Sequence, residues 1–216
     1  MDTEFARQQM VKQQVRAWDV LHPDVLQALK NVPREQFVPT GYEALAFADT
    51  EIPIGHGQFM MTPTFEGRLL QALKPTSSDK VLEIGTGSGF LAACLARLAE
   101  NVTSIDIHDD FLESAKVNLE DSGIGNVTLL SMDAMQELPD EKFDVIAITG
   151  SVEEFDPRFV DALNPGGRLF VVVGTGPAMD ARLVTRTGDN DWQCESLFET
   201  VLAPLANGSK PPQFLF

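Results

Sequence analysis

Long apolar runs are missing from this chain: no window of its 216 residues approaches the eighteen uninterrupted apolar positions that a membrane-spanning helix needs. Cysteine is scarce, with only Cys94 and Cys194, far apart in sequence. Two such cysteines do not make a disulfide framework and suit a reduced, cytoplasmic protein. Cys94 lies in an apolar stretch and reads as a small buried hydrophobe rather than a reactive thiol. Positive charge is also thin, 16 Lys and Arg against 32 Asp and Glu, for a net charge of −16. Such a surface repels phosphate backbones and anionic membranes, and the basic residues are scattered singly, so neither a nucleic acid nor a membrane is expected as partner. The three histidines, His22, His56 and His108, are dispersed, and the acids form no ligand-spaced cluster, so no metal is expected. The opening MDTEFARQQMVKQQVRAW has no continuous apolar core and is not expected to be a signal peptide. Repeats and low-complexity tracts are lacking too.

What is present is an ordinary globular composition, 44% hydrophobic and 22% charged. Residues 6–30 carry apolar positions at helical spacing and read as two short helices, the second started by His22-Pro23-Asp24. NVPREQFVP, residues 31–39, is a proline-bracketed connection, and Thr64 to Leu73 reads as a helix. From Asp79 the pattern changes to strands alternating with helices: KVLEIGTG, FLAACLARLA, NVTSIDI, a helix over Phe111 to Asp121, NVTLLSMD, KFDVIAITG, a helix over RFVDALNPGG, and GRLFVVVG. The tail reads as two strands around Gly188-Asp189-Asn190-Asp191, closing the sheet as an antiparallel pair. The expected fold is α/β, a doubly wound, mostly parallel sheet covered on both faces by helices. Residues 1–76 form an N-terminal helical segment with a covering loop, and residues 77–216 form the α/β domain.

The first strand of that sheet ends in Glu83-Ile84-Gly85-Thr86-Gly87-Ser88-Gly89. Glycines at alternate positions let the backbone turn tightly and approach a ligand. In doubly wound sheets the crevice beyond the strand's carboxyl end is where ligands bind. A dinucleotide fingerprint needs glycine at position 90, which is Phe90 here. The E-x-G-x-G-x-G form fits S-adenosylmethionine, which brings no pyrophosphate. Asp106 ends the second strand, where a carboxylate can accept from both ribose hydroxyls, and Asp133 follows the third, where it can accept from the adenine amino group.

With these motifs in place the chain resembles the protein-L-isoaspartate O-methyltransferase family. VPREQFVP (32–39), AFADTEIPIGHGQ (46–58), VLEIGTGSGF (81–90), NPGGRLFVVVG (164–174) and VLAPL (201–205) carry the resemblance, which spans nearly the whole chain. It implies a class I, Rossmann-like methyltransferase that moves a methyl group from S-adenosylmethionine to the carboxylate of an isoaspartyl residue in a damaged protein or peptide, leaving S-adenosylhomocysteine. The ester then collapses to a succinimide. A carboxylate is already ionised at neutral pH, so no strong general base is required. Expected cofactor contacts are Glu83, Gly85, Thr86, Gly87, Gly89, Asp106, Ile107, Asp133 and Ala134, with Gln58 and Met60 from the covering loop. A monomer is the expected state.

The loop GHGQFMMTP, residues 55–63, departs from the family pattern G-Q-T-x-S-x-P. Phe59 stands at the threonine position and Met61 at the position of the serine credited with catalysis. Met61 and the neighbouring hydroxyl of Thr62 are therefore the catalytic candidates. Met60 and Met61 read either as core packing or as a methionine-walled pocket. His56 is expected to bond backbone, and Asp49 and Glu51 to be solvated or to cap. Three readings stay open: isoaspartyl repair, methyl transfer to a changed acceptor, and cofactor binding without turnover.

Overall fold

The computed structural model describes residues 3–189 and 191–208. The first segment winds as helix α1 (Thr3–Gln9), a π turn (Met10–Gln14) and a 3-10 turn (Val15–Trp18), followed by α2 (Pro23–Asn31). Pro23 occupies the first turn of α2, where its missing N–H costs nothing. A two-stranded hairpin, β1 (Ile52–Gly55) and β2 (Gln58–Met60), precedes α3 (Pro63–Leu73). Then come β3 (Lys80–Ile84), α4 (Phe90–Ala96), β4 (Asn101–Asp106), α5 (Asp109–Asp121), β5 (Val127–Ser131), β6 (Phe143–Val152), α6 (Arg158–Asp161), β7 (Leu163–Thr175), β8 (Ala178–Arg186) and β9 (Trp192–Thr200).

Strands β3 to β9 form one sheet in the order β5-β4-β3-β6-β7-β8-β9. The first five strands in that order are mutually parallel, and β8 and β9 add antiparallel at one edge. The chain therefore reverses its winding between β3 and β6, the place where such sheets open a crevice. Asn190 of the expected β8–β9 turn lies outside the described residues; across that turn Thr187 N and Gly188 N donate to Asp191 O at 2.8 and 3.1 Å.

Alternate residues of the central strands enter two separate apolar layers. Val81, Val145, Ala147, Phe170 and Val172 face α2, α3 and α4, in a core that also holds Val15, Leu29, Leu69 and Leu95. The N-terminal segment and the sheet thus share one core. Leu82, Ile84, Ile146, Ile148, Leu169 and Val171 face the other way. That second face has little helix on it: Phe159 and Val160 of the four-residue α6 cover it together with Met132, Met135, Leu138 and Phe155. The helix expected over 158–167 stops at Asp161, and NPGG belongs to β7. The reason is register. Leu163 already pairs with Phe143, and Asn164–Gly167 bulge out before pairing resumes at Arg168. Among the described residues no helix is long and apolar enough to cross a membrane.

Candidate active site

The stretch expected to be an open loop is a hairpin with a two-residue turn, His56-Gly57, both left-handed at φ 51 and 72. Paired left-handed residues match the twist of a tight hairpin. The pairing Ile52↔Met60 fixes which side chains face inward. Met60 and Met61 are buried in the core, whereas Phe59 stays 45% exposed. Buried Arg34, from the PREQ segment, donates from Nη2 to Met61 O at 2.6 Å and from Nε to Ala46 O at 3.0 Å, and its Nη1 pairs with Glu66 of α3. One guanidinium thus fixes the end of the hairpin to two other segments.

Between this hairpin and the carboxyl ends of β3, β4, β5 and β6 lies a cleft of about 830 Å³, its open mouth included. Of the expected site residues, Gln58, Met60, Met61, Glu83, Gly85, Thr86, Gly87, Asp106, Ile107, Asp133 and Ala134 line it. Thr62 and Gly89 do not. The Thr62 hydroxyl caps α3, accepting from Phe65 N at 3.2 Å and lying 3.1 Å from Thr64 Oγ1. Gly89 is required by packing, because a Cβ there would stand 2.9 Å from the Ala115 Cβ on α5. The two methionine readings are not exclusive, since Met60 and Met61 belong to the core and to the cleft wall at once.

The glycine turn is held from three sides. Gly85 N donates to Ile105 O at 2.8 Å, Gly87 N to Asp106 Oδ2 at 3.0 Å, and the Thr149 hydroxyl sits within 2.9 Å of both Ile84 O and Gly85 O. Asp106 Oδ1 also accepts from His108 N at 3.0 Å, which aims the carboxylate at the end of β4. Asp133 Oδ1 accepts from Met135 N, while Oδ2 accepts from Gln136 Nε2 and Asn207 Nδ2. Burial pulls Asp133 upward, but the Asn207, Met135 and Gln136 donors outweigh it and hold the carboxyl below its usual range. Glu83 is fully buried, and desolvation pushes it up to about 8. Ser104 donates to its Oε2; its Oε1 has no partner of normal geometry, and the Ala92 amide helps it only weakly. Burial, opposed by Arg34, pushes Glu66 up to about 7.

Glu66, Thr149, Gly150, His108, Phe111, Leu205 and Ala206 also line the cleft. Thr149 and Gly150 are visible in sequence as the end of the fourth strand of the parallel sheet, β6. Glu66 carried no signal beyond its position after the loop. Asp49, expected to be solvated or to cap, accepts from Thr64 N and Oγ1 at 3.3 and 2.7 Å at the start of α3. Two further expectations fail. Among the described residues His56 has no backbone partner: its Nε2 meets Asp110 Oδ2 at 2.9 Å. Nor are all three histidines dispersed in space, since two of them, His56 and His108, gather with Asp110 at the lip of the cleft. Asp106→Ala removes a buried acceptor from the cleft wall and should weaken binding of an adenosine-bearing ligand by about 1–3 kcal/mol. Calorimetry on parent and variant checks this, and equal affinities would displace the ribose site from β4.

The chain matches the family model described as Protein-L-isoaspartate(D-aspartate) O-methyltransferase over residues 6–210. It is 38% identical over 184 residues to a protein-L-isoaspartate O-methyltransferase of Methanoculleus marisnigri, covering 84% of each chain. To the enzyme of that name from Koribacter versatilis it is 35% identical over 206 residues, covering 94% of this chain and 92% of the other. Its fold superposes on a crystal structure of a Plasmodium falciparum protein-L-isoaspartate O-methyltransferase in complex with S-adenosyl-L-homocysteine, with a TM-score of 0.79 at 19% identity, covering 94% of this chain and 99% of that one. The fold is that of the class I methyltransferases, and the chain belongs to the protein-L-isoaspartate(D-aspartate) O-methyltransferase family.

Proposed function

We propose that the chain binds S-adenosylmethionine in this cleft and transfers its methyl group to the free carboxylate of an isoaspartyl residue in a peptide or protein. The observation that carries the cofactor assignment is electrostatic. Among the described residues the cleft is lined by four carboxyls and by no Lys or Arg; Glu66 is paired with Arg34 and burial keeps Glu83 protonated up to about 8, which leaves Asp106 and Asp133 at the strand ends as the acids that face a ligand. Such a lining rejects a pyrophosphate and favours a ligand that carries positive charge and many hydrogen-bond donors. The glycine turn fits the same ligand. A Cβ on Gly85 would stand 2.2 Å from Thr149 Oγ1, and Gly85 and Gly87 both hold left-handed φ angles, 96 and 50, so the turn offers bare backbone to a ligand.

In this reading Asp106 accepts from the ribose hydroxyls, and Asp133 Oδ1, which among the described residues accepts only the Met135 amide, takes the adenine amino group. Gly85, Thr86 and Gly87 present backbone to the ligand, and Met60, Met61 and Phe111 exclude water from its far side. The bound cofactor supplies an electrophilic methyl group. The protein's task is then to hold a carboxylate oxygen in line with that methyl group. Cys94 and Cys194, both free, suit a reducing cytoplasm, and a monomer has the complete cleft.

One observation favours a second reading, methyl transfer to a less anionic acceptor. The only hydroxyl adjoining Met61 is turned away as a helix cap, and the cleft is acidic. Labelled S-adenosylmethionine offered with paired isoaspartyl and aspartyl peptides separates the two. Transfer selective for isoaspartate supports the proposal. Cofactor binding without transfer to either peptide overturns isoaspartyl repair and is the result expected of a changed acceptor or of cofactor binding without turnover. If the missing hydroxyl limits repair, Met61→Ser should raise turnover on the isoaspartyl peptide by roughly tenfold or more, in line with the worth of one well-placed donor. Unchanged turnover would sink that explanation.

A further inference from the structure

We propose that His56, His108 and Asp110 form a binding site for a divalent first-row transition-metal ion, Zn²⁺ above all, at the lip of the cleft. The three side chains come from two elements. His56 is the first residue of the β1–β2 turn, while His108 holds the N-cap position of α5 without a side-chain capping bond, and Asp110 lies in its first turn. Ring nitrogens and carboxylate oxygen all lie within 4.8 Å of one another, and His56 Nε2 stands 2.9 and 3.1 Å from the two Asp110 oxygens.

The donor set is chemically specific. Two imidazoles and one carboxylate suit zinc, cobalt and nickel, whereas magnesium and calcium demand oxygen ligands. The arrangement is also supported from behind. The imidazole rings stack face to face, 3.9 Å between centroids and 9° between planes. Both stand edge-on to the ring of Phe111 at 5.2 Å, so one aromatic side chain backs the pair. Imidazole lone pairs lie in the ring plane, so the two rings must swing out of parallel to aim at one ion, and bonds of about 2.1 Å require the donor atoms to draw in to roughly 4 Å of one another. All three side chains have at least partial solvent access, which permits that swing and leaves water to fill the remaining positions. Asp110 has no cationic partner except His56 among the described residues, so no fixed positive charge competes with the ion.

The ion would bridge the turn of the hairpin to the start of α5. These elements supply opposite parts of the cleft lip, through Ile54 and Phe59 on one side and His108 and Phe111 on the other. Metal binding therefore steadies the wall that carries Met60 and Met61. This assignment is independent of the methyl acceptor.

The test is calorimetric titration of Zn²⁺ into the full chain at mildly alkaline pH, where imidazole is neutral. One saturable equivalent is expected. His108→Ala, Asp110→Asn and His56→Asn should each weaken binding by about tenfold or more. Asparagine is chosen at position 56 because it tolerates the left-handed turn. Cys194→Ser should bind as the parent does, which separates this site from the exposed thiol. In parallel, Zn²⁺ should raise the melting temperature of the parent and not that of His56→Asn. No saturable binding, binding indifferent to the three ligand substitutions, or binding lost with Cys194→Ser each overturns the proposal. None of these readouts depends on methyl transfer.

Discussion

Arg34→Met should destabilise the protein by about 3–5 kcal/mol, since it removes one partner of a buried ion pair and leaves the other charge without compensation. The Arg34 side chain has no solvent access, lies 4.6 Å over the ring of Phe90, and holds Ala46 O, Met61 O and the Glu66 carboxylate together. Methionine fills much of the same space but satisfies none of the three acceptors, two of which are backbone carbonyls in the core. Urea unfolding of parent and variant measures the effect, and a loss under about 1 kcal/mol would mean that water or a rearranged neighbour replaces the guanidinium. A second substitution separates charge from packing. Arg34→Met with Glu66→Leu should regain a good part of the stability, because the uncompensated carboxylate is then gone. Affinity for the cofactor should fall in the single variant, since Met61 loses its anchor beside the cleft.

That clamp was not legible in the sequence, although the segment containing it was. VPREQFVP stands out as a motif, but nothing in the string says that Arg34 is buried while Glu35 and Gln36 keep access to solvent. The sheet was easier to read, because the central strands β3, β6 and β7 carry apolar runs bounded by glycine or polar residues and buried on both faces, whereas the edge strand β5 stays partly exposed. The convergence of the glycine turn, Asp106 and Asp133 on one cleft was legible for a related reason: they stand at or just past the ends of neighbouring parallel strands, and the register β3–β4–β5 brings those ends together in space. Where the reading failed, a local rule competed with a longer-range one. Pro165-Gly166-Gly167 look like a helix terminator, yet β6 captures Leu163 first and the three residues become a bulge within β7. His56-Gly57 is not among the strongest hairpin signals, so β1 and β2 were missed although both turn residues adopt the required left-handed conformation. Sequence distance misled most at the histidines. The hairpin folds back over α5, so residues far apart in the chain stack at 3.9 Å.

The stability of the protein should fall as pH rises from 4.5 towards 8, and Glu83→Gln should remove part of that fall. Glu83 ionises near 4.5 in an unfolded chain but near 8 in the folded one, because desolvation at its fully buried position disfavours the charged form. Below the lower value the carboxyl is neutral in both states and costs nothing. Between the two values the unfolded chain releases a proton that the folded chain retains, so each rise in pH favours unfolding. Above the upper value the buried carboxylate is charged in both states, and the whole penalty, several kcal/mol, is in force. Glutamine has the same shape, and the Ser104 hydroxyl that donates to Glu83 can rotate to suit either amide group. The difference in unfolding free energy, variant minus parent, should therefore be smallest at mildly acid pH and grow steadily towards pH 8. Glu66 contributes a slope of the same sign, because its carboxyl is pushed up to about 7. It is present in both proteins, so only the difference curve isolates Glu83. Urea midpoints measured across that range decide the matter: a difference independent of pH would show that the Glu83 carboxyl ionises as freely in the fold as in water. The same substitution also tests the site. If the positive charge of the cofactor is what the buried acid awaits, Glu83→Gln should gain stability at neutral pH while it loses affinity for S-adenosylmethionine, so that the two effects of one side chain run in opposite directions.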